Sequence, residues 1–349
     1  MQYSVSFPGG TVRYMHNSPF SAIGDVVAPS RCIIITDSNV AGLYRAVFQQ
    51  FKATIVIPQG ENSKNFATVL TIVQQLLQHQ VHRGGYILGI GGGMVTDIAG
   101  FVASVYMRGI SFGYVPTTLL GMVDAAIGGK NGINIGMQKN LLGTISQPEF
   151  ILFDHHFLDT LPAEEWSNGF AEIIKYACLF DEAMFGELQQ HDLQYYRTDH
   201  AALSALIAKC VDRKNKIVLA DEREQGMRKL LNFGHTAGHA FETVCHIPHG
   251  QAVALGMLVA CRLSEEKGLT APVAPTLAAI LQQYNLPVNI KADTDALMKV
   301  LAMDKKRDST GIDYIILEAP GKGAVHHVTL DDIRKTLKEF AYESDNTAW

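Results

Sequence analysis

The sequence predicts an α/β protein: an N-terminal, mostly parallel-sheet domain at 1–160, followed by a mainly helical domain at 161–349. Three observations predict this. Residues 1–155 alternate short β-rich apolar runs with helical stretches, the pattern of βαβ crossovers on a parallel sheet. Past Leu161-Pro162 helical spacing takes over, with few strand candidates. The chain's 349 residues also exceed the roughly 250–300 at which one hydrophobic core stops growing.

Taken in order, Cys32–Thr36 reads as a buried strand that ends at Asp37-Ser-Asn39, where a helix to about Gln49 can start. Ala53–Ile57 is a second strand closed by Pro58-Gln-Gly60, and helical spacing follows from Ser63 to about Gln78. Tyr86–Ile90 is a third strand running directly into Gly91-Gly92-Gly93. A helix through Met107, a strand at Ser111–Val115 and a last one at Phe150–Phe153 complete this half. Stretches 168–180, 199–220, 236–246, 250–267 and 273–284 read as helices, and weak strands return at Asp313–Leu317 and Val325–Thr329.

Composition excludes several classes. A net charge of -5 gives no electrostatic reason for nucleic acid or an anionic membrane. No apolar run approaches a bilayer span. The N-terminus shows no basic segment followed by an apolar one. Five scattered cysteines without a Cys-x-x-Cys fit a reducing compartment. A cytoplasmic protein is expected.

The densest chemistry lies in the second half. Asn232-Phe-Gly-His235-Thr-Ala-Gly-His239, then His249-Gly-Gln, with Glu172-Ile-Ile-Lys175 upstream, gathers three imidazoles, a carboxylate, an ammonium and an amide. Imidazole and carboxylate are common zinc ligands, and three protein ligands with an open position mark a catalytic site. His235 and His239, four apart, would share a helix face, so on spacing alone both could bind one metal. In the first half, Gly91-Gly92-Gly93 between strand and helix is where a dinucleotide pyrophosphate sits, although the spacing is not Gly-x-Gly-x-x-Gly and a tight turn fits as well. Asp37 suits a ribose contact or a helix cap equally. Asp97, one turn into the next helix, could face a nicotinamide or its ribose. The glycine-rich segment from Asp124 through Lys130 to Lys139-Asn140 offers ammonium and amide donors to a small polyanion, or is an ordinary solvated loop.

Together these segments resemble the 3-dehydroquinate synthase family of sugar phosphate cyclases. The resemblance runs from about Ile34 to Lys306. It is carried by Pro58-Gln-Gly60-Glu61-Asn-Ser-Lys64, by Gly91 through Asp97 to Phe101, and by Arg108-Gly and Val115-Pro-Thr117-Thr118. It continues through Asp124 to Asn140, Gly169 to Lys175, Lys214, Arg228 to Glu242, His249 to Met257 and Asp304-Lys305-Lys306. The resemblance implies NAD bound by Asp37, Asn39, Glu61, Lys64, Gly91, Gly92, Gly93, Asp97, Thr117, Thr118 and Lys139. It implies a divalent metal, Zn2+ or Co2+, on Glu172, His235 and His249, which leaves His239 on the substrate-phosphate side. Lys130, Asn140, Arg228 and Lys305 would join His239 there, with Arg108 reaching in from a second subunit of a homodimer. Asp124, Lys175, Lys214 and Asn232 would contact substrate hydroxyls and carboxylate. The implied reaction converts 3-deoxy-D-arabino-heptulosonate 7-phosphate to 3-dehydroquinate and phosphate. It would proceed by transient NAD oxidation, phosphate elimination, re-reduction and intramolecular aldol closure.

Some positions depart from the family pattern: Thr96 stands at a usual glycine, Ala125-Ala126 at a frequent serine pair, and Asn131 at a common threonine. Three other readings stay open at this level. A metal-dependent alcohol or glycerol dehydrogenase would share the domain order but not the phosphate-binding set. A different sugar phosphate cyclase would change the positions of Asn232 and His239. A non-catalytic nucleotide-binding module would need neither set.

Overall fold

The chain opens with an antiparallel hairpin, β1 (Gln2–Phe7) and β2 (Gly10–His16). There follow β3 (Cys32–Asp37), α1 (Ser38–Phe48), β4 (Ala53–Ile57), α2 (Phe66–Gln78), β5 (Tyr86–Gly91), α3 (Gly93–Val105) and β6 (Ser111–Pro116). A second hairpin, β7 (Lys130–Ile135) and β8 (Gln138–Ile145), precedes β9 (Phe150–Phe153). The structure, a computed structural model, describes residues 1–136, 138–269, 272–302 and 311–343. Seven strands form one sheet in the order β1-β2-β9-β6-β5-β3-β4, and every pairing but β1 with β2 is parallel.

All six residues of β3 and of β5 are buried, which is why these strands read as continuous apolar runs and not as alternations. One face carries Ile34, Leu88, Ile90, Val115 and Leu152 into a cluster with Phe20, Phe48, Phe51 and Phe157. Because β3 pairs with β4 on one side and β5 on the other, the crossover direction reverses between β3 and β5. Ile35 lies opposite Gly89, so Asp37 and Gly91 end side by side at the carboxyl edge. That reversal point is where doubly wound sheets open a ligand crevice.

In the second half come α4 (Ala163–Phe180), α5 (Glu182–Gln190), α6 (Leu193–Thr198), α7 (His200–Ala220), α8 (His235–Cys245), α9 (His249–Glu266), α10 (Ala274–Gln283) and α11 (Thr294–Leu301). The antiparallel pair β10 (Gly311–Ala319) and β11 (Lys322–Thr329) and then α12 (Leu330–Glu343) complete it. The chain divides into two units, Met1–Pro162 with Ser204–Arg223, and Ala163–Leu203 with Glu224–Trp349. The first unit therefore takes back most of α7, a return that no boundary near residue 160 anticipates. Its anchors are polar: Tyr14 donates to Asn215 Oδ1 at 2.7 Å, and Gln147 Nε2 to Glu222 Oε1 at 2.9 Å.

The largest difference from the sequence reading is segment 124–145. The expected flexible loop is a π-turn at Gly121–Ala125 followed by the β7–β8 hairpin. Buried Asn131 ties it down, accepting from Tyr114 Oη at 2.6 Å and donating to the carbonyls of Gly129 and Ser146, both at 3.0 Å.

Candidate active site

In the first unit, the three glycines are places where side chains do not fit. A Cβ on Gly91 would lie 2.6 Å from Val95, one on Gly92 3.1 Å from Thr118, and one on Gly93 2.8 Å from the Ala125 methyl. The turn is thereby pressed onto its surroundings while its open side keeps bare backbone. Gly92 caps α3, and the first N–H groups of that helix form an anion-binding end. The Thr117 N–H closes the neighbouring turn on the Gly91 carbonyl at 2.9 Å, and Thr118 Oγ1 accepts from the Gly121 N–H at 3.0 Å. Asp37 caps α1: its Oδ1 accepts from the N–H groups of Asn39 (2.9 Å) and Val40 (3.0 Å). These groups lie at the carboxyl ends of β3, β5 and β6, where bare glycine backbone and a helix N-terminus suit the pyrophosphate of a dinucleotide.

Beside the crevice, buried Lys64 gathers predicted residues from three separate segments. Its Nζ donates to Asp97 Oδ2 at 2.5 Å and to Asn140 Oδ1 at 2.6 Å, with Glu61 Oε1 at 3.9 Å. Burial raises the Asp97 pKa above the usual carboxylate value, a push the Lys64 charge opposes. A second ion pair joins Lys214 of α7 to Asp124, with Nζ 2.5 Å from Oδ1 and 2.7 Å from the Asp124 carbonyl. Lys130 and Lys139 stand exposed on the hairpin. Arg108 is exposed in a tight turn where Met107 (φ 50°) and Arg108 (φ 67°) both adopt left-handed backbone. Two consecutive non-glycine residues in that region carry strain that the surrounding fold must hold.

In the second unit, α4 contributes Glu172 and Lys175, one turn apart, and α8 and α9 contribute histidines at their first turns. The three helices approach unusually closely. A Cβ on Gly256 would sit 1.9 Å from the Gly234 carbonyl, and one on Gly250 2.5 Å from the Asn168 Cα. Gly234 itself enters α8 with φ 76°, so the turn before His235 suits glycine. The result is that His235 Nε2 and His249 Nε2 each lie 3.5 Å from Glu172 Oε1. The three residues' ligand atoms fall within 4.8 Å of one another.

The far side of each ring is also held. His235 Nδ1 bonds the Phe233 carbonyl at 3.0 Å; a carbonyl only accepts, so Nδ1 carries the hydrogen and the Nε2 lone pair faces Glu172. His249 Nδ1 faces Glu242 Oε2 at 3.5 Å. Such outer partners are characteristic of metal-binding imidazoles. Burial keeps His235 neutral, its pKa well below the ordinary value. Burial pulls His249 down too, but Glu172 and Glu242 outweigh it and lift the group to about 9. Two imidazole nitrogens facing one buried carboxylate are a donor set that fits a divalent cation. His239, one turn along α8, is exposed and groups instead with Glu242 and His249. Lys175 pairs with Glu172 and stands 5.1 Å from the ring centre of Tyr176. Arg228 is buried in the turn Met227–Asn232, and Asn232 Nδ2 donates to Glu224 Oε1 at 2.8 Å. Lys305 lies outside the described residues.

The 3-dehydroquinate synthase N-terminal model matches residues 54–168, and the C-terminal model matches 169–307. The chain belongs to the 3-dehydroquinate synthase family. The 3-dehydroquinate synthase of Dichelobacter nodosus is 41% identical over 314 residues, 87% of this chain and 84% of that protein. Among solved structures, the chain is similar to a 2-epi-5-epi-valiolone synthase from Streptomyces hygroscopicus subsp. jinggangensis with NAD+ and Zn2+ bound. That likeness has a TM-score of 0.86, 28% identity and 98% of both chains covered. A 2-deoxy-scyllo-inosose synthase complexed with carbaglucose-6-phosphate, NAD+ and Co2+ shares the fold, with a TM-score of 0.87 at 23% identity, covering 97% of this chain and all of that one.

Two residues that matter to this 3-dehydroquinate synthase-type site escaped the sequence reading as functional groups. Glu242 was visible only as the end of a motif, yet its place seven residues before His249, across the α8–α9 turn, sets it beside that ring. Asn134, inside the glycine-rich segment, contacts Glu61 and Asn140 and pairs with Asn65 where the β7–β8 register shifts.

Proposed function

We infer that the chain catalyses the 3-dehydroquinate synthase reaction of the shikimate pathway, converting 3-deoxy-D-arabino-heptulosonate 7-phosphate to 3-dehydroquinate and phosphate. The observation that carries this reading is a glycine cradle at Gly91–Gly93 and a converging Glu172–His235–His249 set on one chain of this family. NAD and a divalent ion, Zn2+ or Co2+, are the cofactors; when bound they supply reversible oxidation of one substrate hydroxyl and polarisation of the oxygens at that carbon.

The chain's own residues do the rest. Glu172, His235 and His249 hold the ion, and mixed imidazole and carboxylate ligands suit both metals. Asp37, Asn39, Glu61, Lys64, Asp97, Thr117, Thr118 and Lys139 surround the nucleotide. Asp124, Lys175, Lys214 and Asn232 take the substrate's hydroxyls and carboxylate. Lys214 and Lys175 are cations already paired with carboxylates, so each presents a fixed, oriented donor. His239, Arg228, Asn140, Lys130 and Lys305 neutralise the departing phosphate. That group's own oxygen can accept the proton lost from the adjacent carbon, so no dedicated protein base is required. Ring closure then needs only the correct conformer, and rigid multi-point binding supplies it. We assign the protein to a homodimer, with Arg108 completing a neighbour's phosphate pocket. The exposed apolar side chains of Val105, Met107 and Ile145 support an interface in that region. A reducing cytoplasm agrees with five free cysteines.

The test is redox neutrality. With the heptulosonate phosphate and a trace of NAD, phosphate release should run for many turnovers while absorbance from free NADH stays flat. A dehydrogenase would stop once the trace of NAD had become NADH, releasing no phosphate, and that outcome would overturn the reading.

A further inference from the structure

Asn134 belongs to β7 in sequence but leaves the hairpin ladder, whose register shifts between Ile133 and Ile135. The extra residues lie on β8, where 139–141 stand against Asn134 alone, and Asn134, which has no partner in the β7–β8 register, pairs with a different segment. Its N–H donates to the Lys64 carbonyl at 2.8 Å, and it forms an isolated parallel bridge with Asn65. Its side chain works in both directions. Nδ2 donates to Glu61 Oε1 at 2.8 Å, and Oδ1 accepts from the Asn140 N–H at 2.8 Å. Asn140 has left-handed backbone, φ 49°, a conformation asparagine tolerates but one that gains from an outside partner. From there the Asn140 side chain accepts from Lys64 Nζ at 2.6 Å. The connections close into a ring: Asn134 to Lys64 through the backbone, Lys64 to Asn140 through side chains, and Asn140 back to Asn134. Asp97 and Glu61 hang on its outside.

We propose that Asn134 is a positioning residue that locks the nucleotide-side segment Glu61–Asn65 to the phosphate-side residue Asn140, so that NAD affinity and substrate affinity depend on one side chain. The proposal rests on the functional reading above for the identity of the two ligands. Its physical basis is separate. Asp97 and Asn140 both hold the Lys64 ammonium, and removing Asn134 frees the hairpin end that carries Asn140. The lysine then remains on Asp97 while Asn140 loses its orientation.

Two variants of the metal-loaded full chain test this. In Asn134→Ala both arms are lost. NAD affinity, read by calorimetric titration, and the KM for the heptulosonate phosphate should each worsen about five- to tenfold, the size of one or two neutral hydrogen bonds. The kcat and the bound-metal content should stay near wild type. Asn134→Asp keeps an acceptor for the Asn140 N–H but sets a carboxylate against Glu61. It should recover KM while NAD binding stays weak. That split is not what general destabilisation produces, since destabilisation would move the melting temperature of both variants and separate neither constant. Unchanged constants in Asn134→Ala, or identical behaviour of the two variants, would overturn the proposal. If wild type releases no phosphate from the heptulosonate phosphate, the functional reading fails. The NAD titrations of the two variants still decide the role of Asn134.

Discussion

His235 and His239 occupy one helix face, and nothing in their spacing distinguishes them. What separates them is the rest of the fold. His235 has Nε2 3.5 Å from Glu172 Oε1, whereas His239 is exposed and groups with Glu242 and His249. His235→Ala should therefore empty the metal site, measured by elemental analysis after dialysis, and abolish turnover. His239→Ala should keep the metal and slow phosphate loss by about 10²–10³, the usual effect of deleting an oriented donor to developing charge. Equal metal loss in both variants would reverse the assignment. Glu242 extends the same argument outward, because its carboxylate faces the Nδ1 side of His249. Glu242→Gln should lower metal affinity about 10–100-fold in a chelator competition. The candidate ligands Glu172, His235 and His249 can be named from the sequence because imidazole and carboxylate ligands are narrow in chemistry, and the structure brings the three together. The partners beside those rings, Glu242 and the Phe233 carbonyl, are not legible in this way, since each reaches its histidine only through a turn at a helix end.

At the scale of elements, the parallel strands were the most legible, and the reason is burial. Phe150–Phe153 has the ends its apolar run predicts, because a strand covered on both faces leaves no polar alternation to confuse the pattern, and the edge strand Ala53–Ile57 also ends where its apolar run ends. The β7–β8 hairpin was missed for the opposite reason. β8 is exposed along nearly all its length, and glycines in β7 and β8 imitate a loop. The short helices α5 and α6 were hidden by their own caps, since Asp181 and Asp192 restart helix within what reads as a break. The β1–β2 hairpin also places a titratable group in the sheet. His16 stacks on Phe153 at 4.8 Å between ring centres, with Nε2 3.2 Å from Tyr3 Oη. Burial first, then His155 and the terminal ammonium, lower its pKa from 6.5 to about 4. The unfolded chain therefore binds this proton below pH 6.5 while the folded chain refuses it until about pH 4. Stability falls as pH drops through that window, by an amount of order 2–3 kcal/mol. His16→Phe keeps a flat ring and cannot be protonated. Its loss of melting temperature between pH 7 and pH 5 should be smaller than that of wild type, and an equal loss would show that His16 is not the group responsible.

For the whole molecule, the sequence signals change of texture but not return of chain. The apolar pattern changes near Leu161-Pro162, yet Ser204–Arg223 belongs with the first unit. Only side-chain pairings such as Lys214 with Asp124 and Asn215 with Tyr14 reveal why. The question left at this scale is whether one chain makes a complete site. Arg108 stands exposed on a strained turn, flanked by exposed Val105 and Met107, and a guanidinium in that position is well placed to serve another copy. Lys130, from the same proposed phosphate set, starts β7. If Arg108 crosses between subunits, mixing an Arg108→Ala chain with a Lys130→Ala chain creates dimers in which one site has both residues intact and the other has neither. Each variant alone should be nearly inactive. After subunit exchange the mixture should recover about a quarter of wild-type activity, since half the dimers are mixed and each carries one good site. Sedimentation should report a dimer throughout. If Arg108 serves its own chain, every site in the mixture lacks one residue or the other, and the activity stays at the level of the separate variants.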